Sequence, residues 1–299
     1  MRQDERAGLL FGGMGFALFP VGDAMVKTMA GQWAPTAMAG LRYFLAALGL
    51  GLILLWREGW RGFAFPRPGI QLVRGLGVGC AAAAFFGALM LMPLAEATAI
   101  TFTQPVLTGL LAALLLKEPA RRETWIATAL AFAGVLVILR PGFLAFGWAA
   151  FLPLTAALGM SLTMIGNRMV AQLGSALAMQ FAITAIASVV LGIIVVAGHW
   201  SGMPTLHVGP LPPVVLAKCV FVAAVLTTGH WLVFKGTTRV GAGTLAPMTY
   251  MQLLGATFMG WLVFGDRPDR TTLLGAAMIV GSGLYLWWKG RIRDVAELP

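Results

Sequence analysis

Two stretches of this sequence match each other without a gap: TFTQPVLTGLLAALLLKE at residues 101–118 and TYMQLLGATFMGWLVFGD at residues 249–266. The match extends over 42 residues at a constant offset of 148 and includes the identity of Gln104 with Gln252. An offset of 141 aligns the earlier parts of the two halves in the same way. Self-similarity at a fixed offset is the signature of an internal repeat. The sequence therefore predicts two copies of one structural unit.

The composition excludes most soluble classes of protein. The 299-residue chain is 59% hydrophobic and only 11% charged, with a mean hydropathy of +0.85. A soluble domain is about 45–50% apolar and about 25% charged, so this chain has too little charge for a water-facing surface. Two cysteines are too few for a disulfide scaffold, and the apolar content excludes disorder. Because the apolar residues come in long runs, we predict an all-α membrane protein.

Ten segments are long and apolar enough to be spanning helices, each of which takes about 20 residues. Charged residues or clusters of proline and glycine separate them. The first segment is too long for a signal-peptide core and has no small-residue cleavage site after it, so it is kept as a span. The predicted spans are 8–29, 34–56, 70–92, 95–116, 122–140, 147–170, 175–197, 213–235, 241–264 and 270–289.

The 21 Lys and Arg residues predict the orientation. If the N-terminus is cytoplasmic, fifteen of them lie on the cytoplasmic side and five on the other, with Arg42 inside a span. Both termini are therefore expected in the cytoplasm, and the number of spans is even. The excess of cations in the formal charge of +10 is therefore interpreted as a topology signal. A nucleic-acid partner is not needed, and the expected partners are the lipid bilayer and a small-molecule substrate.

Ten spans in two copies make five spans per copy. Because five is odd, the second copy enters the membrane upside down relative to the first. We therefore predict two inverted-topology five-helix repeats, residues 1–142 and 143–290, followed by a short cytoplasmic tail at 291–299. Inverted repeats are typical of transporters that work by alternating access, with the substrate near the bilayer midplane between the halves. The chain is expected to function as a monomer.

The end of each repeat carries a more specific pattern. Pro105 stands within a span, and Glu118 follows thirteen residues later, before a short charged turn and a Gly-rich helix. In the second copy Asp266 replaces the acid and Leu253 the proline. This pattern resembles the ten-helix EamA-domain type of the drug/metabolite transporter superfamily, and the whole chain is similar to the YddG-type exporters within it. The resemblance implies a multi-pass protein of the bacterial inner membrane that exports aromatic and other amino acids.

Several other functions stay open. A broad exporter of drugs, purines or other metabolites of the same superfamily is the main alternative, and a passive channel or an integral-membrane enzyme is a further one. The sequence contains no H-E-x-x-H, G-x-S-x-G or Walker A motif and no Cys/His set at metal-ligand spacing. We therefore predict a transporter that is not an enzyme, with no cofactor and no metal site.

Polar side chains recur at equivalent places in the two repeats. Thr101 and Gln104 are three residues apart, hence on one helix face, and Thr249 and Gln252 repeat them in predicted span 9. Tyr250 adds a ring with a hydroxyl. A glutamine that faces lipid has no hydrogen-bond partner, so both stripes must face protein or a cavity. We predict that they bind the polar end of the substrate; hydrogen bonding between helices is the alternative.

Four charged residues lie in or against the outer halves of spans: Asp23, Lys27, Arg42 and Glu96. A charge at the bilayer centre costs about 2.5–3.5 kcal/mol on insertion scales, so each requires a reason. Asp23 and Lys27 are four residues apart and can pair on one helix face. We interpret the four as coupling or gating charges, with Asp23 as a candidate proton site. Interfacial salt bridges and a helix-bracing arginine are the alternatives.

His230 and Trp231 in predicted span 8 are the remaining candidates for the binding site. Their rings suit an aromatic or carboxylate group of a substrate. The alternative for the histidine is a contact between packed helices.

Overall fold

The structure is a computed structural model, and it describes residues 3–115, 122, 125–126, 129–134, 136–137, 147–170, 173–245, 248 and 250–296. All regular secondary structure in these ranges is helical. Six helical segments among them are long and apolar enough to cross a membrane, as expected for a multi-spanning protein. They are Ala7–Lys27, Pro35–Phe63, Pro68–Leu91, Gly147–Asn167, Ala176–Trp200 and Pro213–Val233.

Ten α-helices have defined bounds within the described residues, and most follow the predicted spans. They are α1 (Gln3–Lys27), α2 (Pro35–Glu58), α3 (Pro68–Leu91), α4 (Leu94–Thr101), α5 (Gln104–Leu115), α6 (Phe151–Val170), α7 (Ala176–Trp200), α8 (Pro213–Leu245), α9 (Tyr250–Phe264) and α10 (Arg270–Ala296). The residues 129–134 of predicted span 5 are also helical. Because α4 and α5 together occupy one predicted span, this number is no count of spans, and the ten-span topology stays a prediction.

Predicted span 4 is divided in two at Phe102 and Thr103, between α4 and α5. Pro105 has no N–H group, so a continuous helix would lose the hydrogen bond to the carbonyl of Thr101. As the second residue of α5, Pro105 instead takes a first-turn position, where no N–H donor is needed. The hydroxyl of Thr103 donates to the carbonyl oxygen of Ile100 at 2.9 Å, which satisfies an acceptor at the end of α4.

The predicted boundary between spans 8 and 9, at residues 236–240, is wrong, because α8 continues to Leu245. Gly236 lies inside the helix and lets α8 approach α1 closely. A Cβ atom on Gly236 would lie 2.8 Å from the carbonyl oxygen of Gly8 and 2.9 Å from the backbone nitrogen of Gly12. Small residues permit such contacts between membrane helices, so here the glycine is a packing residue and not a helix end.

Contacts between chain segments define two ends of the helix bundle. At one end Lys218 Nζ donates to Thr28 Oγ1 at 3.1 Å, where α8 begins and α1 has just ended. At the opposite end Ser175 Oγ donates to Glu58 Oε2 at 2.9 Å, next to the start of α7 and the end of α2. We call the first the upper end and the second the lower end.

The helices pack in pairs that join the two predicted repeats. α1 packs along α8, α3 packs along α6, and α2 packs against α7. α1 runs from the lower to the upper end, whereas α6 starts beside buried upper-end residues and ends beside the start of α3. In the predicted repeats, the α1–α8 pair is the counterpart of the α6–α3 pair.

Each of these two pairs crosses at a glycine on both helices. A Cβ atom on Gly15 of α1 would lie 2.7 Å from the carbonyl oxygen of Gly229 on α8. A Cβ atom on Gly77 of α3 would lie 2.6 Å from the carbonyl oxygen of Gly159 on α6. The backbones touch directly at both points, so the two crossings determine how closely the helices of the bundle approach.

Replacement of Gly77 by alanine is expected to lower the stability of the protein by about 1–3 kcal/mol, because the added methyl group overlaps a rigid backbone carbonyl. Thermal unfolding in detergent measures the loss. The matched control is Gly192→Ala in α7, where a Cβ atom meets nothing within 4 Å. That change is expected to leave the melting temperature equal or slightly higher, since alanine favours a helix. Equal melting temperatures for both variants would contradict the tight crossing.

Candidate functional site

Two opposite charges are buried on the first two helices. Asp23 on α1 has 5% of its surface exposed, and Arg42 on α2 has 7%. The charge of Arg42 acts on Asp23 and also on His230 of α8. Among the described residues, Nε of Arg42 has no hydrogen-bond partner. We call Asp23, Arg42 and His230 the polar centre.

His230 lies where α1 packs along α8. Its Nδ1 donates to the carbonyl oxygen of Leu226 at 2.7 Å, so this nitrogen carries the ring proton. The imidazole lies 4.7 Å from the ring of Phe19, centroid to centroid. One turn higher, a Cβ atom on Gly22 would lie 2.5 Å from the side chain of Leu226. Because Phe19 is four residues before Asp23 on the same helix face, the rings of Phe19 and His230 lie one turn below the buried carboxylate.

Two buried hydroxyl groups add unpaired hydrogen-bonding capacity at the upper end. The Oγ1 atoms of Thr36, in the first turn of α2, and of Thr98, on α4, have no partner among the described residues. Ala24 of α1, Ala39 of α2 and Ala97 of α4 belong to one buried cluster at this end. A buried polar atom without a partner costs free energy. Such atoms are typical of a site that is completed by a ligand or by water.

An ion pair covers the upper end of α1. Lys27 Nζ lies 2.8 Å from Asp266 Oδ2 and 4.7 Å from the ring centroid of Phe264. Lys27 therefore pairs with a residue of the other half and not with Asp23, the partner that helix spacing suggested. The reason is that Asp266 follows the end of α9, which reaches the same end of the bundle as the C-terminus of α1.

Further acids surround this ion pair. Glu96, at the start of α4, lies within electrostatic range of Asp266, Asp269 and Lys27. Asp269 precedes α10, and its carboxylate accepts hydrogen bonds from the backbone N–H of Thr272 at 2.7 Å and from the hydroxyl of Thr271 at 2.8 Å. These bonds hold the pKa of the Asp269 carboxyl below its usual value. Lys27 is thus a cation among three carboxyl groups.

Loss of the Lys27–Asp266 pair is expected to open the upper end. Cys219, buried in α8 near this end, is a native reporter. In a Cys80→Ala background, which removes the exposed thiol, Asp266→Asn should raise the rate of maleimide labelling about two- to fivefold, the scale of a partly exposed ion pair. The exchanged pair Lys27→Asp with Asp266→Lys should restore the slow rate. Arg267→Gln, an exposed neighbour, is the control. Equal labelling in all variants would contradict a gating role.

The structure brings the two predicted stripes into different surroundings. The Oγ1 atom of Thr101 donates to the carbonyl oxygen of Ala97 at 2.8 Å, so this donor is used within α4. Gln104 and Gln252 are both half-buried, and the carbonyl oxygen of Gln104 accepts a hydrogen bond from Ser161 Oγ of α6 at 3.0 Å. Thr249 and the side chain of Tyr250 lie outside the described residues. The symmetric binding stripe stays a prediction.

Gln252 lies toward α1. It is three residues before Gly255 on the same face of α9, and a Cβ atom on Gly255 would lie 2.7 Å from the ring of Pro20. Gln104 of α5 lies at α6, because its carbonyl oxygen accepts from Ser161. Each glutamine therefore lies in the first turn of a helix that packs on the first helix of the opposite half.

His230 and Trp231 do not form one site. Consecutive residues of a helix point about 100° apart, and Trp231 keeps 49% of its surface exposed. The ammonium group of Lys235 lies 3.7 Å from the indole centroid. His230 belongs to the polar centre, whereas a binding role for Trp231 has no support in these contacts.

The lower end holds a buried polar cluster that the sequence reading missed. Arg74 of α3, one of the fifteen Lys and Arg residues that the sequence predicts on the cytoplasmic side, has only 4% of its surface exposed. It binds Gln71, Asn167 and the sulfur of Met179. The sequence does contain one signal, because Gln71 and Arg74 are three residues apart on one face of an otherwise apolar helix.

Sequence comparison gives the family. A model of the EamA-like transporter family matches residues 7–140 and again residues 147–288. The chain belongs to the EamA-like transporter family. This EamA-family chain is therefore a membrane transporter of a small molecule, with relatives that are named as transporters. The predicted superfamily is confirmed, while the amino-acid specificity and the direction of transport are not.

Curated relatives of this EamA-family chain transport different metabolites. The S-adenosylmethionine uptake transporter of Rickettsia bellii is 25% identical over 88% of this chain and 87% of its own. The riboflavin transporter of Rhizobium johnstonii is 26% identical over 84% and 81%. A crystal structure of a protein aligns at a TM-score of 0.61 and 17% identity over 97% of this chain and 99% of its own. That likeness concerns the fold alone.

Proposed function

We propose that this protein is a secondary transporter for metabolites that carry an α-amino-acid group, and that it works by alternating access. The observation that carries the proposal is the burial of Asp23 and Arg42 in one polar centre. A membrane-buried charge is costly and marks a substrate or ion pathway by default. Two opposite charges match the ammonium and the carboxylate of one amino acid. Free amino acids and larger conjugates both belong to this class.

The polar centre offers a role for each part of such a substrate. The carboxylate of Asp23 would accept the ammonium group, and the guanidinium of Arg42 would donate to the carboxylate through its fork of N–H groups. Phe19 and His230 would contact an attached ring. S-adenosylmethionine combines an amino-acid group, a sulfonium cation and an adenine ring, so the names of four Rickettsia relatives fit this arrangement. Riboflavin has rings without an amino-acid group and represents the broader metabolite alternative.

The direction of transport has two candidate answers. The resemblance that the sequence carries predicts export of amino acids, whereas the named relatives favour uptake. Alternating access permits either direction, because the gradients of substrate and coupling ion decide it. We retain amino-acid export as the sequence-based proposal, with uptake of an amino-acid conjugate as the alternative that the relatives support.

Two inverted repeats are the proposed basis of alternating access. The family model matches twice, at 7–140 and 147–288, which supports division of the chain into repeats 1–142 and 143–290. The opposite directions of α1 and α6 support the inversion. The two glycine crossings support the same exchange, because each joins a helix of one half to a helix of the other. Transport would follow from an exchange of conformations between the halves.

The paired glutamines supply a test of this symmetry. Gln104→Ala and Gln252→Ala are each expected to lower transport about three- to tenfold, the loss of one or two hydrogen bonds to a substrate. The matched control is Gln32→Ala at the upper end, whose amide donates to the carbonyl oxygen of Thr28. Initial rates in proteoliposomes are the measurement. Unchanged rates in both variants would exclude a symmetric pair.

Counterflow in proteoliposomes tests the function itself. Proteoliposomes that contain the purified protein are loaded with unlabelled L-methionine, L-phenylalanine, S-adenosylmethionine or riboflavin. Entry of the labelled form of the same compound is then followed with and without a pH gradient. Saturable exchange of an amino-acid-bearing substrate is expected. Transport of riboflavin alone would favour the broader alternative, and flux without exchange would indicate a channel. An effect of the pH gradient would support proton coupling.

The membrane orientation is also a proposal. The lower end would face the cytoplasm of a bacterium, so both termini would lie on the cytoplasmic side of the inner membrane, as the distribution of Lys and Arg predicts. Fusions of alkaline phosphatase and a fluorescent protein to residue 299 test it. Fluorescence without phosphatase activity is expected.

A further inference from the structure

We propose that Arg74 is a second substrate-binding residue, which receives the carboxylate of the substrate at the lower end of the bundle. The inference rests on the proposed function and extends it to the opposite end of the pathway. Its basis is a buried guanidinium whose hydrogen-bond partners are all neutral.

Arg74 is held by residues from three helices. Its Nε donates to Asn167 Oδ1 of α6 at 2.7 Å, and its Nη1 donates to Gln71 Oε1 of α3 and lies 4.0 Å from the sulfur of Met179 on α7. The hydroxyl of Thr163 donates to its carbonyl oxygen at 3.2 Å. The side chain is therefore oriented before any ligand arrives.

The charge itself is not neutralised. No carboxylate is within salt-bridge distance of Arg74 among the described residues, and its Nη2 donates to none of them. Burial of an ion without a counter-ion costs several kcal/mol. A neutral glutamine or methionine would brace three helices without this cost. The free N–H groups of the guanidinium suit a planar carboxylate, the geometry that arginine binds with two parallel hydrogen bonds.

Position in the fold connects this cluster with the polar centre. The crossing glycines, Gly15 of α1 and Gly159 of α6, align these two helices at an offset of 144 residues, three more than the offset of 141 between the earlier parts of the sequence. In this structural register Asp23 corresponds to Asn167. Gly22, one residue before Asp23, packs on Leu226, whereas Gly166, one residue before Asn167, packs on Arg74. We call the contact of α1 with α8 beside Asp23 the upper seam and the contact of α6 with α3 beside Asn167 the lower seam. The two seams are thus built alike but differ in charge.

That difference assigns a separate task to each end. At the upper end the equivalent place holds a buried carboxylate and an apolar leucine. At the lower end it holds an amide and a buried cation. The upper seam is suited to the ammonium group of the substrate, whose carboxylate Arg42 of α2 would bind at that end. The lower seam carries a cation of its own and is suited to the carboxylate. The substrate carboxylate would replace the neutral oxygens of Gln71 and Asn167 when the lower end opens.

Matched ligand pairs test the inference. S-adenosylmethionine is compared with its decarboxylated form, and L-phenylalanine with phenethylamine, by competition in oriented proteoliposomes from each side separately. Arg74→Gln is expected to weaken the carboxylate-bearing member about tenfold or more from the lower side and to change the amine much less. Arg74→Lys, which keeps the charge but loses the fork, should give an intermediate loss. Arg67→Gln, an exposed arginine at the same end, should change neither.

Each outcome decides between a binding and a bracing role. If Arg74→Gln and Arg74→Lys weaken the competition of both members of a ligand pair equally, Arg74 only braces the helices. If neither variant changes the preference for the carboxylate-bearing member over the amine, the inference is also overturned. If wild-type protein prefers the carboxylate and the ratio is insensitive to Arg74, the proposed function stands without this residue. If no amino-acid-bearing ligand competes with wild-type transport, both proposals fail. Melting temperatures show whether each variant folds. If Arg74→Gln does not fold, the competition measured with Arg74→Lys decides between binding and bracing.

Discussion

Replacement of Asp23 by asparagine is expected to reduce transport of an amino-acid substrate about ten- to a hundredfold, the scale of one hydrogen bond to a charged group. Asp23 is the buried carboxylate of the polar centre, and Arg42 is the cation that acts on it. Asparagine keeps the size of the side chain and removes its charge. The ammonium group of the substrate then loses its counter-ion, while the helix packing around position 23 is kept.

The readout that separates binding from folding is again a ligand pair. L-phenylalanine is compared with 3-phenylpropanoate, which lacks the ammonium group. Asp23→Asn should weaken the first much more than the second. Asp269→Asn, an exposed acid at the same end, is the matched control, because asparagine also caps a helix N-terminus well. If Asp23→Asn transports L-phenylalanine at the wild-type rate, the polar centre is not the binding site.

Removal of Arg42 is expected to have the second large effect, on stability as well as on transport. Arg42→Gln leaves the Asp23 carboxylate buried without the cation whose charge acts on it. Loss of one partner of a buried pair in direct contact costs about 3–5 kcal/mol, and a smaller loss is expected here because Asp23 and Arg42 are not in salt-bridge contact. Thermal unfolding in detergent should therefore show a clear loss of melting temperature. Transport of carboxylate-bearing substrates should fall with it, and Arg267→Gln at the exposed upper end should change neither.

The double variant distinguishes an ion pair from two independent residues. Asp23→Asn with Arg42→Gln replaces both charges by neutral amides, so the stability lost in Arg42→Gln alone should largely return. Transport should stay low, because both groups for the substrate are gone. Additive losses of stability would mean that Asp23 and Arg42 do not compensate each other in the folded protein.

Much of the fold was predictable because hydropathy is a local property. Helices α2, α3 and α7 begin and end within a few residues of the predicted spans, since the proline or polar residues that limit them are adjacent in sequence. The prediction was wrong at Gly236, where a glycine that packs α8 against α1 looks like one that ends a helix. A single sequence does not distinguish these uses, because the difference is made by the backbone of Gly8 and Gly12.

The candidate site was predictable in part. The outer-half charges were identified because charge is rare in this chain, and Asp23 and Arg42 are both buried in the structure. Their partners were less accessible. Lys27 pairs with Asp266, 239 residues away, and Arg74 is buried although its position near the start of a span is typical of a topology charge. His230 and Trp231, adjacent in sequence, point to different surroundings.

The sequence by itself determined that this is a helical membrane protein and predicted its two repeats, and its motifs indicated the EamA family that the comparison then identified. These properties follow from composition, local hydropathy and internal similarity. Only the tertiary structure decided which charges are buried and which groups they contact. Asp23 and Arg42 are both buried, Lys27 pairs with Asp266, and Arg74 contacts neutral groups. The physical reason is that burial and pairing depend on helix crossings, and those crossings join residues that are far apart in the chain.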